Sequence, residues 1–110
     1  MTDAAQGESP RWTPVGNAAD WPAEGAKLVT VGPRKIGVYQ HAGAWYALKD
    51  MCPHAGVGLS KGPIADKMVM CVGHGWRFNL ETGKVLGIPG DWRVGTYPVR
   101  VVDGVVEIGV

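Results

Sequence analysis

The chain has 110 residues, 45% of them hydrophobic, and eleven Lys and Arg against ten Asp and Glu give a formal net charge of +1. That length is one domain with a modest core, and the charge balance argues against a dedicated nucleic-acid binder or a polybasic membrane-surface protein. Seventeen glycines and eight prolines without a collagen-like period indicate many tight turns, and two cysteines are too few for a disulfide scaffold.

Residues 1–10 are polar or small, lack the apolar stretch of a secretory leader, and read as a disordered tail. One domain is expected over 11–110. No apolar run approaches the ~18 residues of a membrane span. The expectation is a soluble cytoplasmic protein, where thiols stay reduced and cysteines serve metals or catalysis more often than disulfides. Pro22, in Asp20-Trp21-Pro22-Ala23-Glu24-Gly25, marks a loop or a single helical turn. A β-rich run over 27–31 stops at Gly32-Pro33. A second strand is expected over 36–41, and Ala42-Gly43 turns the chain into 44–48. Residues 67–72 and 75–79 form a later pair, with a short strand at 84–86. Residues 97–102, the turn Asp103-Gly104 and residues 105–108 make a hairpin with an Asp-Gly signature. No window carries a sustained helical period. Short strands with frequent turn residues predict an all-β, antiparallel sandwich or barrel.

Two compact groups carry the chemistry, Cys52-Pro53-His54 and Cys71-Val72-Gly73-His74. Each offers one thiolate and one imidazole, with glycines close by that let the backbone curl around a bulky object and point N–H groups inward. A structural zinc site accepts two cysteines and two histidines, but usually pairs cysteines on one knuckle and histidines on another. One of each per loop suits a two-iron cluster, two cysteines on one iron and two histidines on the other, the ligand set of a Rieske [2Fe-2S] centre. A structural zinc-binding interaction module stays open as the alternative.

The flanking residues sharpen this choice. Cys52-Pro53-His54-Ala55-Gly56 and Cys71-Val72-Gly73-His74-Gly75-Trp76-Arg77-Phe78 resemble the two cluster-binding loops of the Rieske ferredoxin family. Leu59-Ser60-Lys61-Gly62 and Leu80-Glu81-Thr82-Gly83-Lys84 fit its flanks, and the resemblance covers residues 26–108. It implies a β-sandwich or barrel base with an inserted cluster-binding subdomain over about 50–86. It implies one [2Fe-2S] cluster held by Cys52, His54, Cys71 and His74, with Gly56, Gly75, Trp76, Phe78 and Pro89 around it. Gly87-Ile88-Pro89-Gly90 resembles the loop that shields the cluster from the far side. The histidines are expected outermost, with an imidazole edge near solvent.

Two departures from the respiratory Rieske proteins place this chain on the low-potential side of the resemblance. Those proteins carry a Ser and a Tyr beside the second loop, whose hydroxyls donate to the cluster, and one extra cysteine in each loop. Trp76 and Phe78 stand at the first pair of positions here, and Val57 and Gly73 at the second. With neutral imidazoles on one iron the oxidised cluster and its ligands sum to roughly zero charge, and the expected midpoint lies near ~ −150 mV.

Other readings of the same residues are weaker. The two cysteines could be inert buried thiols or a disulfide. His41 has no partner motif and reads as an ordinary strand residue, and Trp12, Trp21, Trp45, Tyr46 and Trp92 read as packing. Between Lys49 and Arg93 there are six basic and four acidic residues, a small bias that predicts salt-dependent transfer to an acidic partner.

After the four ligands are assigned one histidine remains, so the two histidines and carboxylate of a mononuclear oxygenase iron are lacking. No dinucleotide fingerprint or phosphate loop appears. The resemblance therefore implies a one-electron carrier and no enzyme of its own. Its partners would be a flavin- or iron–sulfur-containing reductase and a terminal oxygenase. The small subunit of an assimilatory NAD(P)H nitrite reductase, working with that enzyme's large subunit, is the second family context.

Overall fold

The computed structural model describes residues 11–52, 58–73, 75–87, 89–90 and 92–110. The tail over residues 1–10 lies outside them. Among the described residues the chain forms eleven strands: β1 (Trp12–Asn17), β2 (Gly25–Val31), β3 (Arg34–His41), β4 (Ala44–Lys49), β5 (Ile64–Ala65), β6 (Met68–Met70), β7 (Arg77–Asn79), β8 (Val85–Leu86), β9 (Thr96–Tyr97), β10 (Val99–Val102) and β11 (Val105–Gly109). Helical structure among the described residues is limited to the 3-10 turns Ala18–Asp20 and Leu59–Lys61. The first ends at Asp20, where the stretch expected as a loop or a single helical turn around Pro22 begins.

Tight turns set the topology. Ala42-Gly43 joins β3 to β4 with φ of 51° and 80°, and Asp103-Gly104 joins β10 to β11 with φ of 51° and 78°. Positive φ at both central residues is the type I′ turn whose twist matches paired strands. Every pairing is antiparallel. One sheet has the order β1-β11-β10, a second β2-β3-β4-β9, and a third β5-β6-β7-β8. The third sheet lies in the chain between β4 and β9, which are themselves paired neighbours, so it is an insertion into the second.

Alternation along β3 and β4 explains how the layers stack. Side chains point to opposite faces at successive positions. Ile36, Val38 and Ala47 join Trp21, Val106 and Ile108 in one buried cluster against the first sheet. Tyr39 and Leu48 point the other way, into a second cluster with Leu59, Val69, Phe78, Leu80 and Val85 from the insertion. The β3–β4 pair is therefore buried on both faces. Trp21 closes the first cluster, donating from Nε1 to the Val38 carbonyl at 2.9 Å and meeting Trp45 edge-on at 5.5 Å.

Three elements differ from expectation, each for a local reason. β1 is absent from the sequence reading because Pro14 and Gly16 interrupt its pattern. In the fold it is an edge strand with a register irregularity between those residues, the position where a proline is tolerated. β5 has two residues, too few to show a period. The single strand expected over 97–102 is split at Pro98, which has no N–H to give. Tyr97 pairs with Ala47 in the second sheet, while Val99 pairs with Ile108 in the first. The chain changes sheets at that proline.

Candidate metal centre

The first loop grows from the end of β4 through Asp50, Met51 and Cys52. Asp50 is the buried charged residue of the described chain, 8% exposed. Its backbone N–H donates to the Lys35 carbonyl at 3.0 Å. Its carboxylate accepts from the Ser60 N–H at 2.6 Å and from the Ser60 hydroxyl at 3.1 Å. Ser60 lies beyond the loop, so these bonds close the loop at its root. The close fit is made by glycines: a Cβ on Gly58 would stand 2.7 Å from Asp50 Oδ2, and one on Gly37 would stand 2.9 Å from Tyr39 Oη and 3.1 Å from Asp50 Oδ1. Tyr39 is fully buried, and its hydroxyl has no hydrogen-bond partner among the described residues. Burial, and then the Asp50 charge, pushes its phenol far up, so it stays protonated.

The second loop is the tip between β6 and β7, where Met70 pairs with Arg77. It is a closed turn. The Cys71 N–H donates to the Trp76 carbonyl at 2.7 Å, and the Gly75 N–H donates to the Cys71 carbonyl at 2.9 Å. Gly75 has φ of 78°, a conformation that favours glycine. Inside the turn the Gly73 N–H donates to Cys71 Sγ at 3.4 Å.

Both cysteines belong to one buried cluster. Cys52 is 0% exposed and Cys71 1%, both in the apolar cluster with Leu59, Val69 and Phe78. No disulfide joins them. Around the second loop Trp76 packs on that cluster, 6.5 Å from the Phe78 ring and 5.7 Å from Trp92. Phe78 is buried, Trp76 half-buried and Pro89 exposed. Trp92, expected in packing, is 48% exposed. His54, His74 and Gly56 lie outside the described residues, and so does Ile88 of the third loop.

The donor chemistry fits an iron–sulfur group. A thiolate sealed among apolar side chains carries a heavy desolvation cost unless a cation offsets it. Two such sulfurs without a disulfide, one with a backbone amide aimed at it, match ligands that keep a negative charge. An N–H on a ligand sulfur is one of the levers that set a cluster's potential.

Two features carried no sequence signal. Ser60 falls in a matching flank, yet its bond to Asp50 depends on how the loop folds back. His41 ends β3 and links sheets: Nδ1 lies 2.5 Å from Glu24 Oε1, and Nε2 accepts from the Lys67 N–H at 3.1 Å. Lys67 belongs to the β5–β6 turn, so one imidazole ties the base to the insertion. Glu24 also accepts from the Ala42 N–H at 2.7 Å. That amide first, and His41 second, holds its carboxyl below the usual value.

No described helix is long and apolar enough to cross a membrane. Among curated proteins, the anthranilate 1,2-dioxygenase ferredoxin subunit of Burkholderia cepacia is 31% identical over 110 residues, which is 100% of this chain and 99% of that one. Among solved structures, a chain of the complex of reduced oxygenase and oxidized ferredoxin in carbazole 1,9a-dioxygenase superposes with a TM-score of 0.81. It is 30% identical and the match covers 89% of this chain and 92% of that one. A structure described as a nitrite reductase NADPH small subunit has a TM-score of 0.82 at 18% identity, over 91% of this chain and 99% of its own, a likeness of fold alone. The profile of the Rieske [2Fe-2S] domain matches residues 11–98. The chain belongs to the Rieske [2Fe-2S] domain family, whose cofactor is one [2Fe-2S] cluster.

Proposed function

We propose that the protein is a cytoplasmic one-electron carrier, the Rieske ferredoxin of a multicomponent oxidoreductase system. It takes an electron from a flavin- or iron–sulfur-containing reductase and gives it to a terminal oxygenase. The observation that carries this is the nearly end-to-end match to a ferredoxin subunit. The fold likeness to a nitrite reductase small subunit ranks below it, and neighbouring genes separate the two contexts.

In this reading residues 50–86 hold the cluster, Cys52 and Cys71 bind one iron, and His54 and His74 bind the other. When bound, the cluster supplies a one-electron couple in the Rieske range. The chain's own residues do the rest. Leu59, Val69 and Phe78 keep water from the sulfurs. The Gly73 N–H draws charge from the Cys71 sulfur. Gly75 lets the second loop curl closely, the role the family resemblance assigns to Gly56 in the first, while Trp76 and Pro89 serve as covers. Asp50 and Ser60 hold the first loop at its root, so little reorganisation accompanies a change of charge.

Anaerobically purified protein is expected to contain iron and sulfide in equal amounts. It should give a paramagnetic signal only on reduction and accept one electron per chain from a candidate reductase. Zinc without visible absorption would replace this reading with the structural module. Replacing His54 or His74 by Cys adds a negative ligand and is expected to lower the midpoint in redox titration; an unchanged midpoint contradicts the assigned ligands.

A further inference from the structure

Where β4 leaves for the first loop, a cavity of about 340 Å³ opens between the β2–β3 turn and the end of β4. Arg34, Lys35 and Lys49 line it with Met51 and Tyr97. Strand register brings the three cations together. Ile36 pairs with Lys49, which puts the start of β3 beside the end of β4, and Asp50 bonds the Lys35 backbone. All three basic residues are exposed.

The charge there is unbalanced. The ion pairs among the described residues are His41–Glu24, Lys67–Glu81 and Arg100–Glu107, and none involves these three cations. Asp50 is the carboxylate of the lining, and both its oxygens are already bonded to Ser60. Three like charges around one concavity repel each other in the isolated chain, and an incoming anion relieves that repulsion. The walls are not purely polar: Met51, 48% exposed, and Tyr97 offer apolar surface beside the charges. Met51 is also the residue before Cys52, so whatever fills the cavity lies against the root of the first loop.

We propose that this cavity is the docking site for an acidic segment of the redox-partner protein. Its carboxylates enter among Arg34, Lys35 and Lys49, and its apolar neighbours rest on Met51 and Tyr97. A guanidinium offers a carboxylate two parallel donors, and the ammonium groups add point charge. The position beside the loop couples electrostatic steering to the approach needed for electron transfer. The proposal rests on the carrier reading and names the partner's chemistry.

The test uses the cluster-loaded protein with methyl-labelled methionines, titrated with a hexaglutamate peptide and followed by NMR. The Met51 methyl is expected to shift while those of Met68 and Met70 do not. In the variant Arg34→Gln, Lys35→Gln, Lys49→Gln, losing three surface ion pairs together is expected to weaken binding about tenfold. A charge-matched control, Arg11→Gln, Lys27→Gln, Arg100→Gln, should bind as the parent does. No response at Met51, or equal loss in the control, overturns the proposal. Inorganic phosphate giving the same Met51 shift at the same concentration also overturns it, because the site then takes any small anion. The carrier reading is checked separately, by reducing the protein with dithionite and reoxidising it with ferricyanide, which takes one electron to become ferrocyanide. A protein that cycles without a Met51 response loses only the docking site; one that does not cycle loses the carrier reading itself.

Discussion

Asp50 is a carboxylate placed where burial would be costly without its two bonds to Ser60. A hydrogen bond to a charged group contributes more than a neutral one, and a donor left unmatched adds to the loss. Asp50→Ala is therefore expected to destabilise the protein by about 3 kcal/mol, read from chemical denaturation, with Asp50→Asn costing less because one acceptor oxygen remains. Equal stability of the alanine variant would show that the Ser60 bonds do not hold the loop root. Glu24 makes a pH-dependent contribution. Its folded-state carboxyl is held below its ordinary value of 4.5 by the Ala42 N–H and then by His41. That contribution is complete above 4.5 and is lost as pH falls through the lowered folded value. Glu24→Gln is expected to be less stable than the parent at neutral pH, the gap closing below pH 4.5; a constant gap across an acid titration would contradict the linkage.

At the scale of strands, turn chemistry was the most legible part of the chain. Asp103-Gly104 announces its hairpin because few residue pairs accept positive φ twice, whereas Ala42-Gly43 signals its turn through the glycine alone. Gly104→Ala puts a Cβ into a left-handed position with φ of 78° where nothing lies within 4 Å, so its cost is conformational alone, about 1 kcal/mol in thermal or chemical unfolding. A neutral result would mean the turn relaxes. The sheet assignment was harder to read. Nothing local to Val99 says that it leaves the sheet Tyr97 joins, since the switch depends on which strands wait on either side of Pro98. The same limit applies to the site. Residue type and spacing single out Cys52 and Cys71, and the fold brings both into one apolar cluster. The partners of Asp50 and His41 come from residues ten to twenty-six positions away, and only tertiary approach selects them. Trp92 shows the converse: an aromatic that reads as packing is half in solvent beside Trp76.

For the molecule as a whole, the two apolar clusters share β3 and β4 but differ in what completes them. Trp21, Val106 and Ile108 close one without any metal. The other contains both cysteines. Stripping iron with acid and chelator is expected to raise hydrogen exchange through residues 64–86 while the amides of β2, β3 and β4 keep their protection; uniform loss would show one inseparable cooperative unit. The two ends of the insertion meet. The Lys49 N–H donates to the Gly95 carbonyl at 2.9 Å, so everything between leaves and returns through one narrow doorway. Such a gate lets the intervening segment lengthen, shorten or be exchanged as a cassette without re-threading the shell beneath it. A graft cut at those two positions, with a short hairpin in its place, would be the natural way to ask whether the shell stands by itself.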